Sequence, residues 1–154
     1  MLNKGQTFSF DFLIALTIFL ISFSLLMLFW NFTNLQISEK RRLEDLTDSA
    51  LSLSEIFFIE GVPEYWSKEN VRVIGLSNKN RINYTKLSFL SEMGYEDVKK
   101  KLNFNFNFAF VLRNESSMIY FFGLNPNEAS NAVKVERIGI LNSSPIIIEV
   151  IVWE

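Results

Sequence analysis

Residues 12–32 form an uninterrupted, uncharged and strongly apolar run, and no other feature limits the possible folds of this chain as sharply. At 1.5 Å rise per residue such a run spans roughly 30 Å as a helix, the thickness of a bilayer core. It is longer than the apolar region of a secretory signal, and no small-x-small cleavage site follows it. A retained membrane anchor is therefore expected. Ahead of the run stands Lys4-Gly5-Gln6-Thr7-Phe8-Ser9-Phe10-Asp11, a polar head with one basic residue, one glycine and one acid.

The apolar phase continues beyond the run. Leu43, Leu46, Ala50, Leu53 and Phe57 recur at alternating steps of three and four, while Arg41, Arg42, Glu44, Asp45, Asp48, Ser52 and Glu55 make the opposite face polar. Gly61-Val62-Pro63 supplies a stop. The pattern predicts one helix running from about Ser9 to Ile59, apolar all round in its first half and amphipathic in its second. A break near Asn31 to Asn34, giving an anchor and a separate juxtamembrane helix, fits the same periodicity. Lys40, Arg41 and Arg42 outnumber Lys4 across the run, so a simple positive-inside count places the C-terminal part in the cytoplasm.

Composition removes most catalytic chemistry. The chain has 154 residues, no Cys and no His, and a net charge of −2. Triads that need His, Cys–His pairs and nearly all zinc sites are thereby excluded. No glycine-rich phosphate loop or metal-ligand spacing appears, and no basic footprint marks a nucleic-acid partner. No catalytic residue, cofactor or metal is expected. Glu92, Glu96 and Asp97 are simplest as the solvated surface of short helices. Sequons of the form Asn-x-Ser/Thr stand at Asn31, Asn83, Asn114 and Asn142; the last three are candidate N-glycosylation positions.

After Pro63 the pattern shortens. Residues 64–70 read as a loop and residues 71–76 as a short strand. Asn83 is placed to cap a helix over residues 84–93, ended by Gly94, and a second helix over residues 95–102 puts Val98 and Leu102 on one face. The period then changes to two: Phe104, Phe106, Phe108, Phe110 and Leu112 alternate with polar or small residues. This phenylalanine ladder is expected to be the core face of a sheet, with Phe106→Ala costing a few kcal/mol. Residues 114–117 read as a hairpin turn into a strand over 118–124, and residues 132–141 and 146–153 as two more strands joined by Asn142-Ser143-Ser144-Pro145. The fold expected is α+β: a long N-terminal helix, half transmembrane and half amphipathic, packed on a small antiparallel sheet over residues 60–154.

The short basic-glycine head, the long apolar helix and the small C-terminal β-domain together resemble archaeal type IV pilin-like proteins. Lys4-Gly5-Gln6 is similar to the site such proteins, with their class III signal peptides, present to a prepilin peptidase. Ser9-Phe10-Asp11-Phe12-Leu13-Ile14 is similar to the opening of their mature helix. The stretches Val62-Pro63-Glu64-Tyr65-Trp66, Asn70-Val71-Arg72-Val73-Ile74-Gly75-Leu76, Ile82-Asn83-Tyr84-Thr85-Lys86-Leu87 and the Ile-rich end from Ile146 to Trp153 also resemble their globular domains.

The resemblance implies a leader over residues 1–5, a helix over 6–59 with its transmembrane segment at 12–32, and processing at Lys4, Gly5 and Gln6. It implies that Asp11 sets axial register by meeting a neighbour's N-terminal ammonium. Cleavage after Gly5 makes Asp11 the sixth mature residue, whereas the family acid is usually fifth; cleavage after Gln6 restores the fifth place. The implied partners are a prepilin peptidase, other pilin subunits, an assembly platform with its ATPase, and membrane lipid. The implied location is the cell membrane, with the C-terminal domain outside, and then an extracellular filament. The alternative is a single-pass anchored adhesin or accessory subunit that forms no filament, for which Lys4-Gly5-Gln6 has no use.

Overall fold

The computed structural model describes residues 4–129 and 131–154. Residues 1–3 of the expected leader lie outside the described residues. Contacts divide the chain into two units, residues 1–42 and 43–154.

Helix α1 is assigned without interruption over Lys4–Ser54, and a 3-10 turn, Glu55–Phe57, follows it. It thus starts before Ser9 and contains Gly5. In the first unit the apolar side chains from Phe10 to Phe32 are exposed all round. Two of its threonine hydroxyls bond back to the preceding turn: Thr17 Oγ1 donates to Leu13 O at 2.7 Å and Thr33 Oγ1 to Phe29 O at 2.9 Å.

The last turns of α1 belong to the second unit. Leu46, Ala50, Leu53, Ile56 and Phe57 are buried there, whereas Leu43, at the start of the expected stripe, is 48% exposed. The core stripe therefore begins at Leu46. Its apolar face meets a six-stranded sheet built from β1 (Ser77–Asn78), β2 (Arg81–Ile82), β3 (Asn107–Arg113), β4 (Met118–Gly123), β5 (Ala132–Leu141) and β6 (Ser144–Trp153). The spatial order is β1-β2-β5-β6-β3-β4. All neighbours are antiparallel except β2 and β5, which run parallel and meet at Ile82 and Leu141. The sheet is accordingly mixed rather than antiparallel, and the fold is α+β.

Helices α2 (Tyr84–Met93) and α3 (Tyr95–Lys101) complete the layer over the sheet. Asn83 caps α2, its Oδ1 accepting from the amides of Thr85 and Lys86, as its place before the periodic segment requires. Acids in the first turn of α3 and lysines in its last turn complement the helix dipole. Glu92, Glu96 and Asp97 are all exposed.

The phenylalanine ladder is core only in part. Phe108, Phe110 and Leu112 are fully buried, but Phe104 and Phe106 precede β3 and are half-buried. Pairing starts at Asn107 opposite Trp153, so no partner strand holds residues 104–106. Phe110 receives Phe57 edge-on, with ring centres 5.1 Å apart, and stacks near Phe122 at 6.1 Å.

Residues 71–76 are not a strand: Val71 and Ile74 to Leu76 are buried while Arg72 and Val73 are exposed, and one bridge, Val62 to Val73, is their only ladder contact. Arg72 N and Val73 N donate to Val62 O at 2.8 and 3.2 Å and Leu76 N to Ile56 O at 2.7 Å, and the following Ser77 N donates to Ile59 O at 2.9 Å. This path needs glycine at two places. A Cβ on Gly75 would stand 2.6 Å from Ile59 O and closer still to Gly61 N, and Gly61 has φ of 79°. Trp66 closes over the junction, its indole N–H donating to Gly75 O at 2.7 Å.

Tyr120 on β4 donates from its hydroxyl to Leu87 O at 3.0 Å and shares a 2.9 Å hydrogen bond with Ser91. Burial raises its pKa above the ordinary 10.0, the Ser91 bond opposing. The unfolded chain then ionises first as pH rises. The stabilisation is complete below about pH 10 and is lost as pH climbs towards the folded value. Tyr120→Phe is expected to cost about 1 kcal/mol at neutral pH and to flatten the alkaline decline, measured as urea midpoints from pH 7 upward. An equally steep decline in the variant would assign it to another group, with Tyr95, also raised by burial, next in line.

Candidate functional site

Two regions offer functional surfaces, one in each unit. In the first, α1 contains an 18-residue window of mean hydropathy 2.7 with none of it buried. The helix is long and apolar enough to cross a membrane. Phe19 and Phe23 stack along it, with ring centres 6.1 Å apart. Asp11 lies within α1 directly before the apolar run of residues 12–32, exposed. Lys4, Gly5 and Gln6 lie within α1.

In the second unit, a cleft of about 700 Å³ opens where several turns converge. The β1–β2 hairpin turns through Lys79 and Asn80, with φ of 50° and 61°, and the β5–β6 hairpin through Asn142 and Ser143, with φ of 49° and 67°. Two central residues at positive φ are the geometry of tight two-residue hairpins, and Asn is among the residues that tolerate it. The parallel contact of Ile82 with Leu141 joins these hairpins, and Asn83 follows Ile82 directly into the cap of α2. Tyr65, Tyr84, Arg81 and Thr85 complete the walls.

A buried lysine on α2 ties β1 to the segment that follows the long helix. Lys86 Nζ donates to Glu60 O at 2.5 Å and to Ser77 O at 2.8 Å. Glu60 Oε1 in turn accepts from the amide of Lys79 at 2.9 Å. Burial pushes the Lys86 amine below its usual value, and the carboxylates of Glu60 and Glu64 offset part of that.

The candidate sequons separate in space. Asn83 and Asn142 line the same cleft, Asn83 with its side-chain oxygen engaged as a helix cap. Asn114 sits in the β3–β4 turn, its Oδ1 accepting from Ser116 N and Ser117 N at 3.0 and 2.8 Å. Asn31 lies on α1 within the apolar stretch. Sequence reasoning did not bring Asn83 and Asn142 together, because the contact of Ile82 with Leu141 joins strands with no shared pattern. The Asn-Ser step at 142–143 before an Ile-rich strand is the one local signal for the second turn.

On the opposite face of the sheet Arg113 pairs with Glu149, and Lys134 with Glu136 at 2.7 Å. The hydrogen bond from Lys134 holds the Glu136 carboxyl below its usual range. Among the described residues no group of three or more His, Cys, Asp or Glu is placed to hold a metal ion.

These features define an α+β protein with one apolar N-terminal helix able to span a membrane and a globular unit with a polar cleft. The chain matches no protein-family model, no curated protein and no solved structure.

Proposed function

We propose that the protein is a structural subunit, a pilin or minor pilin-like protein, of an archaeal type IV pilus-like extracellular filament, anchored in the membrane before assembly. The observation that carries this reading is the helix itself. Its first unit buries none of its apolar window, while its last turns, Leu46 to Phe57, form core of the globular unit. A surface apolar all round must be covered by lipid or by like helices. Transfer from the first to the second exchanges one dry environment for another, so packing and register decide the outcome.

In this reading Lys4, Gly5 and Gln6 are the processing site and Asp11 sets register. The peptidase, the platform with its ATPase and other subunits are the partners, and the C-terminal unit faces outward. A carboxylate at the edge of hydrocarbon is costly without a partner, which a neighbour's new N-terminal ammonium would supply. A second reading is a permanent single-pass anchor carrying an adhesin or accessory domain. It is favoured by the helical assignment of Lys4, Gly5 and Gln6, which puts the Gly5–Gln6 bond inside a helical turn that a peptidase must open.

Intact mass and N-terminal residue, measured on protein made in an archaeal host with and without its prepilin peptidase, separate the two. Loss of residues 1–5 or 1–6 only where the peptidase is present is the expected result, and it also fixes the place of Asp11. A chain that keeps Lys4 and Gly5 in both cells is a permanent anchor.

A further inference from the structure

We infer that the cleft between the two hairpin turns binds an acidic saccharide. Its volume of about 700 Å³ is that of a small-ligand site and larger than a single inorganic anion needs. Among the described residues its lining carries Lys79 and Arg81 and no carboxylate, so it favours negative charge, and the planar guanidinium of Arg81 suits a carboxylate. Tyr65 and Tyr84 are 72% and 60% exposed and offer ring faces to the C–H surface of a sugar, with hydroxyls at their rims.

Amide groups provide the remaining recognition. The Oδ1 of Asn83 is consumed by the cap of α2, which fixes the side chain and leaves its two N–H donors for a ligand. Asn142 is held at φ of 49° in its turn, and Asn78 adds a further amide to the lining. The polar walls disfavour an apolar guest, and their placement on hairpin turns and a capped helix makes the site preformed. The inference is independent of filament assembly, since an anchored domain that never assembles holds the same cleft.

The test titrates digalacturonate, neutral cellobiose and inorganic phosphate into the full chain by calorimetry. The protein is made without glycan, as checked by intact mass, and is held in polyoxyethylene detergent so that no sugar headgroup competes. Saturable binding of digalacturonate is expected, at least about tenfold tighter than cellobiose or phosphate. Arg81→Gln is expected to weaken it about tenfold and Tyr65→Ala about fivefold, both at unchanged melting temperature because both side chains are exposed. Equal affinity for phosphate would reduce the site to an anion contact, and equal affinity for cellobiose would remove the acidic preference. Absence of saturable binding, or binding indifferent to both variants, would overturn the assignment.

Discussion

Truncating Phe110 to alanine is expected to lower the unfolding free energy of the globular unit by about 3–5 kcal/mol. The side chain is fully buried and joins two parts of the chain distant in sequence. Phe57, just after the long helix, meets it edge-on at 5.1 Å, and Phe108 and Phe122 lie 5.0 and 6.1 Å from it within the sheet. Removing the ring takes away its transfer free energy and leaves a void walled by other rings that cannot all move in. Phe106→Ala is the informative comparison. That ring is half-buried, with Phe104 as its aromatic neighbour, and its loss is expected to cost roughly 1 kcal/mol. Urea unfolding of the full chain in detergent, followed through the buried Trp66 and Trp153, gives both numbers. Equal losses would make Phe104 and Phe106 part of the core and contradict their placement ahead of β3.

The contrast between these two rings shows what was legible before the structure and what was not. Alternation marks which face of an extended segment is apolar, and it held for Phe108, Phe110 and Leu112. It does not say where the partner strand stops, and β6 pairs with β3 only as far as Trp153 opposite Asn107. Local signals did better. Asn83 before an apolar periodic segment and Gly94 after it bound α2 at the expected residues, because caps satisfy backbone groups within a few residues of themselves. The segment 71–76 is only partly buried and has no ladder; amides of Arg72 and Val73 go to Val62 O and that of Leu76 to Ile56 O, partners that no periodicity announces. The parallel contact between Ile82 and Leu141, and with it the cleft, was invisible for the same reason. Asn83 and Asn142 were each noticed as sequons, and nothing in their spacing placed them on one surface.

Substituting aspartate for both Leu20 and Leu25 is expected to abolish membrane integration. Both side chains are exposed near the middle of the apolar run. On an insertion scale an acid at the helix centre costs about 2.5–3.5 kcal/mol and the lost leucine about 0.5 more, so the pair amounts to roughly 6–8 kcal/mol. A single acid can be accommodated by local thinning or a shift of the helix, but two acids in one central stretch cannot both reach an interface. Leu43→Asp is the control, because Leu43 is exposed but opens the second unit, past the division at Arg42. After carbonate washing, the native chain and the Leu43 variant should stay in the membrane pellet and the double variant should leave it. Retention of the double variant would mean that residues 12–32 are not the anchor. Release of the Leu43 variant would carry the lipid-covered surface past that division. The direction of the expected result follows from a surface the chain does not cover for itself: a helix with an apolar window wholly exposed in its own fold is stable only where its surroundings are equally apolar, and two carboxylates take that match away.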